Sequence, residues 1–264
     1  MSGRVVGPML GMVKRFYSVL GERGGEHVVR AALNRSYWFF AGYMLVERAS
    51  DALRRSVPPV SDVGALVDVA LTFREKKVGI APNQKKEEIE GLLNIISSAK
   101  PRAILEIGTS QGGTLFLFTR VASDDALLIT VDLPSPPLGA GYLPWRARLY
   151  RSFALGKQEI RLIRSDSHSA QTRSQVLRLL GARKVDVLFI DGDHSYEGVK
   201  KDFEMYSPLV AKGGIVAFHD IVPGRPEDVG GVPRFWNEVK GRYNSQEFVE
   251  NLDQGGSGIG VLRL

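Results

Sequence analysis

None of the 264 residues is a cysteine, which excludes disulfides, thiolate metal sites and a cysteine nucleophile. That absence fits a reducing compartment, and a cytoplasmic protein is expected. Long apolar runs are missing too. The longest, "YWFFAGYMLV" at 37–46, is far short of the roughly 20 residues a spanning helix needs. The N-terminus has no long apolar core and no small-residue cleavage site, so no signal peptide is expected. Histidine is scarce, with four in the chain, and there is no internal repeat or low-complexity tract.

Charge is plentiful. Lys and Arg number 35 against 29 Asp and Glu, a formal net charge of +6. Such a balance favours anionic partners, whether nucleic acid, phosphorylated substrates or an anionic membrane surface. It equally describes a soluble protein with spare basic residues on its surface. At 44% hydrophobic and 24% charged the composition is that of a soluble globular chain. The length suits one large α/β domain with an added segment.

Two textures divide the chain. Residues 1–80 are basic, aromatic and helical in pattern, an N-terminal helical extension. Within it "NRSYWFFAGYMLVERASDALRR" spaces apolar residues by three and four, with Asn34 or Ser36 as cap. "SDVGALVDVALTF" is a second helix with Ser61 as cap. The domain proper, 81–264, opens on the helix "NQKKEEIEGLLNIISSAK", with Asn83 as cap and Pro101 closing it. The lysine pairs at 76–77, 85–86 and 200–201 read as solvated faces. From 102 strands alternate with helices: "RAILEIG", "ALLITVDL", "EIRLIRSDS", "KVDVLFIDGD" and "GGIVAFHD", then two closing strands, "SQEFVENL" and "GIGVLRL". This order predicts an α/β fold with a doubly wound, Rossmann-like parallel sheet. Its near-continuous apolar strands fit burial on both faces.

Polar residues gather where these strands end. "LEIGTSQGGTLFLF" is a strand, a glycine turn and a helix start. Gly108, Gly112 and Gly113 permit positive φ and close approach of a ligand, and the N–H groups of the helix start can receive polar ligand atoms. The spacing is not the G-x-G-x-x-G of a dinucleotide site. The second strand ends in Asp132, placed to accept from both hydroxyls of a ribose. The third ends in Asp166 and Ser167, the fourth in Asp191 and the fifth in His219 and Asp220. Ligands of open α/β sheets bind beyond the carboxyl ends of the strands, so five such ends point to one site. "DGDHSYEG" adds Asp193 and His194 directly after a buried strand, where desolvating charge is costly.

Taken together, "LEIGTSQGG", "VDL", "SDS", "FIDGDHSYEGVKKDFEMYSPLVAKGGIVAFHDI" and "GSGIGVLRL" resemble a class I S-adenosylmethionine-dependent methyltransferase. The resemblance covers about 100–264. It is nearest to the small-molecule O-methyltransferases grouped with macrocin-type sugar methyltransferases and the cephalosporin hydroxylase family. It implies a seven-stranded sheet whose last strand is antiparallel and inserted beside the sixth. It also implies S-adenosylmethionine as cofactor. Glu106 and Gly108 then line its methionine end, in a cofactor turn that includes Thr109, Ser110, Gly112 and Gly113. Asp132, with Leu133 beside it, holds the ribose. Asp166 and Ser167 lie against the adenine, and Asp191 borders the cofactor. Metal-dependent relatives hold a divalent cation, Mg²⁺ or Mn²⁺, at positions that here are Asp191, His219 and Asp220. They use as general base a histidine three residues after the first ligand, here His194. His219 departs from the acidic or acid–amide pair of those relatives, and Mg²⁺ prefers oxygen ligands.

The resulting expectation is O-methylation of a small hydroxylated acceptor, a sugar or glycosylated molecule, with Asp191 and His194 carrying the chemistry. Tyr142, Trp145 and Arg146 are expected in one substrate lid, and Gly230–Gly231 as the hinge of another. Other readings stay open. A nucleic-acid methyltransferase would suit the basic charge, but amino-directed enzymes of that kind carry an Asn/Asp-Pro-Pro-aromatic motif where this chain reads "DGDH". A nicotinamide oxidoreductase is disfavoured by the glycine spacing. A non-catalytic protein with a vestigial site would use its N-terminal helix for a membrane surface or a partner. A homo-oligomer is also open.

Overall fold

In the computed structural model the described residues are 45–58, 62–134 and 141–264. The chain forms two compact units, Met1–Leu45 and Val46–Leu264. Only the second is described here, together with Leu45. The expected caps Asn34, Ser36 and Ser61 lie outside the described residues.

Among the described residues three helices and a small hairpin precede the sheet. Helix α1 covers 45–56, and α2 covers Val63–Thr72. The cap of α2 is Asp62, whose Oδ1 accepts from Ala65 N at 2.7 Å. Strands β1 (Arg74–Glu75) and β2 (Val78–Gly79) form an antiparallel hairpin. Helix α3, Lys86–Ala99, starts after Lys85 and has no side-chain cap, so Asn83 does not cap it. Lys100 ends it in the left-handed region, directly before Pro101.

The sheet has seven strands: β3 (Ala103–Ile107), β4 (Leu127–Asp132), β5 (Glu159–Arg164), β6 (Val185–Ile190), β7 (Val210–His219), β8 (Asn244–Phe248) and β9 (Ile259–Arg263). Their order is β5-β4-β3-β6-β7-β9-β8. The first five are parallel, and β9 runs antiparallel to both neighbours, between β7 and β8. This is the Rossmann-like arrangement expected, with the last strand inserted beside the sixth. Between the strands lie α4 (Gly113–Val121), α5 (Arg146–Arg151), α6 (Ala170–Leu180), α7 (Tyr196–Tyr206), α8 (Pro226–Val229) and α9 (Val232–Val239). Every residue of β3 is buried, as are all but Asp186 of β6. That is the signature of strands covered on both faces.

The order of the parallel strands reverses between β3 and β6, so a crevice opens beyond their carboxyl ends. It is kept narrow by backbone contact. Asp191 N donates to Ile107 O at 2.8 Å. Gly108 turns at φ +89°, and a Cβ on it would stand 1.9 Å from Asp191 O. Gly108→Ala is therefore expected to destabilise the fold by about 3 kcal/mol. Urea unfolding would measure it, and a loss under about 1 kcal/mol would contradict the tight crossing.

Candidate functional site

A cavity of about 760 Å³ opens at this crevice. It is lined from the strand ends by Gly108, Ser110, Asp132, Leu133, Asp166, Ser167, Asp191, His194, His219 and Asp220. All the strand-end acids expected from the sequence thus converge. Glu106, Thr109, Gly112 and Gly113 do not reach the wall. A Cβ on Gly112 would meet the Tyr150 ring, and one on Gly113 would meet Ile80 O and Pro82. These glycines serve packing of the turn against its own protein.

The turn's N–H groups have a different use from that expected. Thr109 N and Ser110 N donate to Asp132 Oδ2 at 3.0 and 2.8 Å, and Leu133 N donates to Oδ1 at 2.7 Å. The glycine turn therefore fixes Asp132 at the tip of β4 and leaves its remaining lone pairs toward the cavity. Burial raises the Asp132 carboxyl above its usual range, against those three hydrogen bonds. Beneath it Glu106 is fully buried. Burial pushes its pKa well up, against the opposing pull of the Thr130 and Thr109 hydroxyls.

At the other end stands a charge cluster. Asp191 Oδ1 lies 3.3 Å from His219 Nδ1 and 3.5 Å from His194 Nε2. Asp220 Oδ2 lies 3.2 Å from His219 Nδ1 and 3.4 Å from His194 Nδ1. Ligand atoms of Asp191, His219 and Asp220 all fall within 4.8 Å of one another, a spacing that one cation could bridge. Asp220 holds φ +61°, an uncommon conformation for a residue with a Cβ, of the kind that gathers at functional sites. His219 Nε2 is buried without a partner among the described residues.

Electrostatics follows from these distances. Burial opposes charge on His219, but the Asp191 charge and hydrogen bonds to both carboxylates raise its pKa to about 10. The hydrogen bond to Asp191 raises His194 to about 9, against burial. Burial works against ionised Asp191, yet the two imidazoles bring it down to about 2. With no cation present both histidines are thus positive at neutral pH. His194 then carries a proton already and cannot accept another, unlike the neutral base expected from the sequence.

The loops behave differently from the two lids expected. Tyr142 and Trp145 are buried, and Arg146 Nη1 donates to Gly79 O and Gln111 O. These side chains anchor the insert to the body. Gly230 and Gly231 pack against His194 and Tyr196. Gly231 N donates to His194 O at 2.7 Å, and a Cβ on Gly230 would stand 2.1 Å from that same oxygen. The loop they end does bring Glu227 and Asp228 to the cavity, and Asp228 O lies 2.5 Å from His194 Nδ1. Asp193 is a turn residue: its Oδ1 accepts from Ser195 N at 2.8 Å, and Ser195 caps α7.

Sequence reading gave no site role to Asn83, Gln84 and Ser257, and set His168 near the cofactor edge without a catalytic role. Asn83, expected only as a helix cap, and Ser257, in the closing motif, both line the cavity. Gln84, inside a run read as an exposed helix start, donates to Asp191. His168 follows "SDS" and joins the wall, its Nε2 3.1 Å from Gly198 O and 3.3 Å from Asp202 Oδ1. That proximity brings the turn after β5 to α7 across 30 residues, which no local pattern records.

Residues 105–221 match the family described as "Methyltransferase domain". The fold is shared with an O-methyltransferase from Bacillus cereus solved with SAH. The two are 18% identical with a TM-score of 0.50, over 86% of this chain and 100% of the other. A TDP-rhamnose 3'-O-methyltransferase of calicheamicin biosynthesis also gives 0.50, at 16% identity over 82% and 93% of the two chains. Two curated relatives are uncharacterized proteins. One, from Sinorhizobium fredii, is 31% identical over 149 residues, 55% of this chain. The other, from Acanthamoeba polyphaga mimivirus, is 37% identical over 67 residues, 24% of this chain. The chain spans 16% and 30% of the lengths of these two relatives. Residues 105–221 are thus similar to a methyltransferase domain, and the fold is one shared with these O-methyltransferases.

Behind the site lies a buried acid that no expectation assigned. Asp202 is fully buried on α7, and burial, together with the charges of Asp193 and Asp166, lifts its pKa to about 6. A carboxyl whose folded pKa exceeds its unfolded value favours folding below the unfolded value, and that advantage is lost as pH rises through the folded one. Asp202→Asn is expected to gain Tm relative to the parent between about pH 4 and 6, by about 5 °C, and to hold that gain above. A pH series of thermal melts with a flat difference would contradict it.

Proposed function

We propose that this protein transfers the methyl group of S-adenosylmethionine to a hydroxyl of a small acceptor, with a divalent cation at Asp191, His219 and Asp220. The observation that carries the reading is the convergence of those three side chains and His194 on the cavity that Asp132 also lines.

The residues fit the cofactor. The cavity is of small-molecule size, and its described walls hold seven acids, Asp132, Asp166, Asp191, Asp193, Asp220, Glu227 and Asp228, with no lysine or arginine. That lining favours a cationic sulfonium. Asp132 would accept from the ribose hydroxyls, and Asp166 and Ser167 would border the adenine. The cofactor supplies an electrophilic methyl carbon. The acceptor oxygen forms a bond to that carbon as the carbon–sulfur bond breaks, and the sulfonium becomes a neutral thioether. The hydroxyl proton goes to His194.

The donor set fits a divalent cation as well. In its absence the proton on His219 provides the positive charge between Asp191 and Asp220. A bound cation would acidify and orient the acceptor hydroxyl. Asp191 and Asp220, once committed to it, no longer hold a proton on His194, which is then free to act as base near pH 7. One nitrogen ligand among two carboxylates favours Mn²⁺ over Mg²⁺.

The acidic lining supports a neutral hydroxylated acceptor, such as a sugar or glycosylated molecule, over a nucleic acid, whose phosphates it would repel. Calorimetric titration of chelator-treated protein is the test. S-adenosylmethionine should bind, and Mn²⁺ should give a second isotherm that Asp191→Ala abolishes. Asp132→Ala should weaken cofactor binding about 10- to 100-fold, the worth of one or two hydrogen bonds to a charged group. Absence of cofactor binding at high micromolar concentration would sink the reading.

A further inference from the structure

Asp191 is held by a residue outside the matched domain. Gln84 precedes α3 and is 3% exposed. Its Nε2 donates to Asp191 Oδ2 at 2.8 Å. Its Oε1 accepts from Thr114 Oγ1, in the first turn of α4, at 3.0 Å. The ionised Asp191 carboxylate only accepts, so it fixes which end of the amide is which, and the Thr114 hydroxyl donates to the other end. The donor end must face Asp191, and Oδ2 is thereby occupied. Oδ1 is the oxygen left toward His219 and His194.

One turn further along, Glu88 is fully buried. Its Oε1 accepts from Gln254 Nε2 at 2.7 Å, and its Oε2 from Gly258 N at 2.8 Å. It thereby holds the loop that presents Ser257 to the cavity. The start of α3 thus anchors two walls through buried polar bonds, which are costly to leave unmade.

We propose that Gln84 is a positioning residue that, locked by Thr114, turns Asp191 so that only Oδ1 is offered to the cation. The proposal rests on the metal-assisted reading for its function and on the Gln84–Asp191 bond for its geometry. Outer partners of ligating carboxylates typically tune metal affinity 10- to 100-fold.

The experiment is Mn²⁺ titration by calorimetry on the full chain, with S-adenosylmethionine affinity and Tm as controls, and crystal structures of parent and variant. Gln84→Ala should weaken Mn²⁺ about tenfold while cofactor affinity holds. Thr114→Val should weaken it in the same direction, Thr114→Ser should not, and Gln84→Ala/Thr114→Val should be no weaker than Gln84→Ala alone, because both act through one bond. Unchanged Mn²⁺ affinity in Gln84→Ala with the Asp191 carboxylate unmoved would overturn the proposal. If the parent binds no Mn²⁺, the metal reading fails by itself. The position of Asp191 in the variant crystal then decides on Gln84: a rotated carboxylate supports the role, and an unmoved one ends it.

Discussion

The site depends on the place where two parallel strands end against each other. Ile107 and Asp191 share a backbone hydrogen bond, and Gly108 packs on Asp191 O with no room for a side chain. This contact brings the turn after β3 and the turn after β6 into one crevice. From it follow the neighbours of each. The first turn reaches sideways to Asp132 on β4, and the second to His219 and Asp220 on β7. A wider gap at Gly108 would separate the Asp132 end of the cavity from its Asp191 end.

Electrostatics explains why buried acids persist in a chain of net positive charge. Asp191 is held ionised by His219 and His194 despite its burial, while burial outweighs the His168 contact at Asp202 and pushes Asp202 and Glu106 up. Desolvation is thus offset where charge has a use and left standing where it does not. The cluster of two imidazoles between two carboxylates holds together as it stands. A cation entering it would replace protons, so metal binding and proton release are linked there.

Much of this was legible in the sequence because it is local. Strand identity is written in apolar runs such as "VDVLFI", and the strand-end acids follow those runs directly. Asp132, Asp191, His219 and Asp220 could therefore be assigned to one edge before any coordinates were known. What escaped depends on contacts between distant segments. Gln84 meets Asp191 across 107 residues, in a run whose lysines suggested solvent. Tyr142 and Trp145 look like lid residues by composition, yet they fill space in the body. Asp62 replaces Ser61 as a cap within one residue, a margin that propensity does not resolve. The charge state of His194 could not be read from spacing, because it is set by carboxylates on two separate strands.

The most direct test of the site is anomalous diffraction from a crystal grown with Mn²⁺ and S-adenosylhomocysteine. A manganese peak among Asp191, His219 and Asp220, with the nucleoside between Asp132 and Asp166 in the same cavity, is the result expected. A manganese peak elsewhere, or a nucleoside bound away from Asp132, would contradict the single shared site.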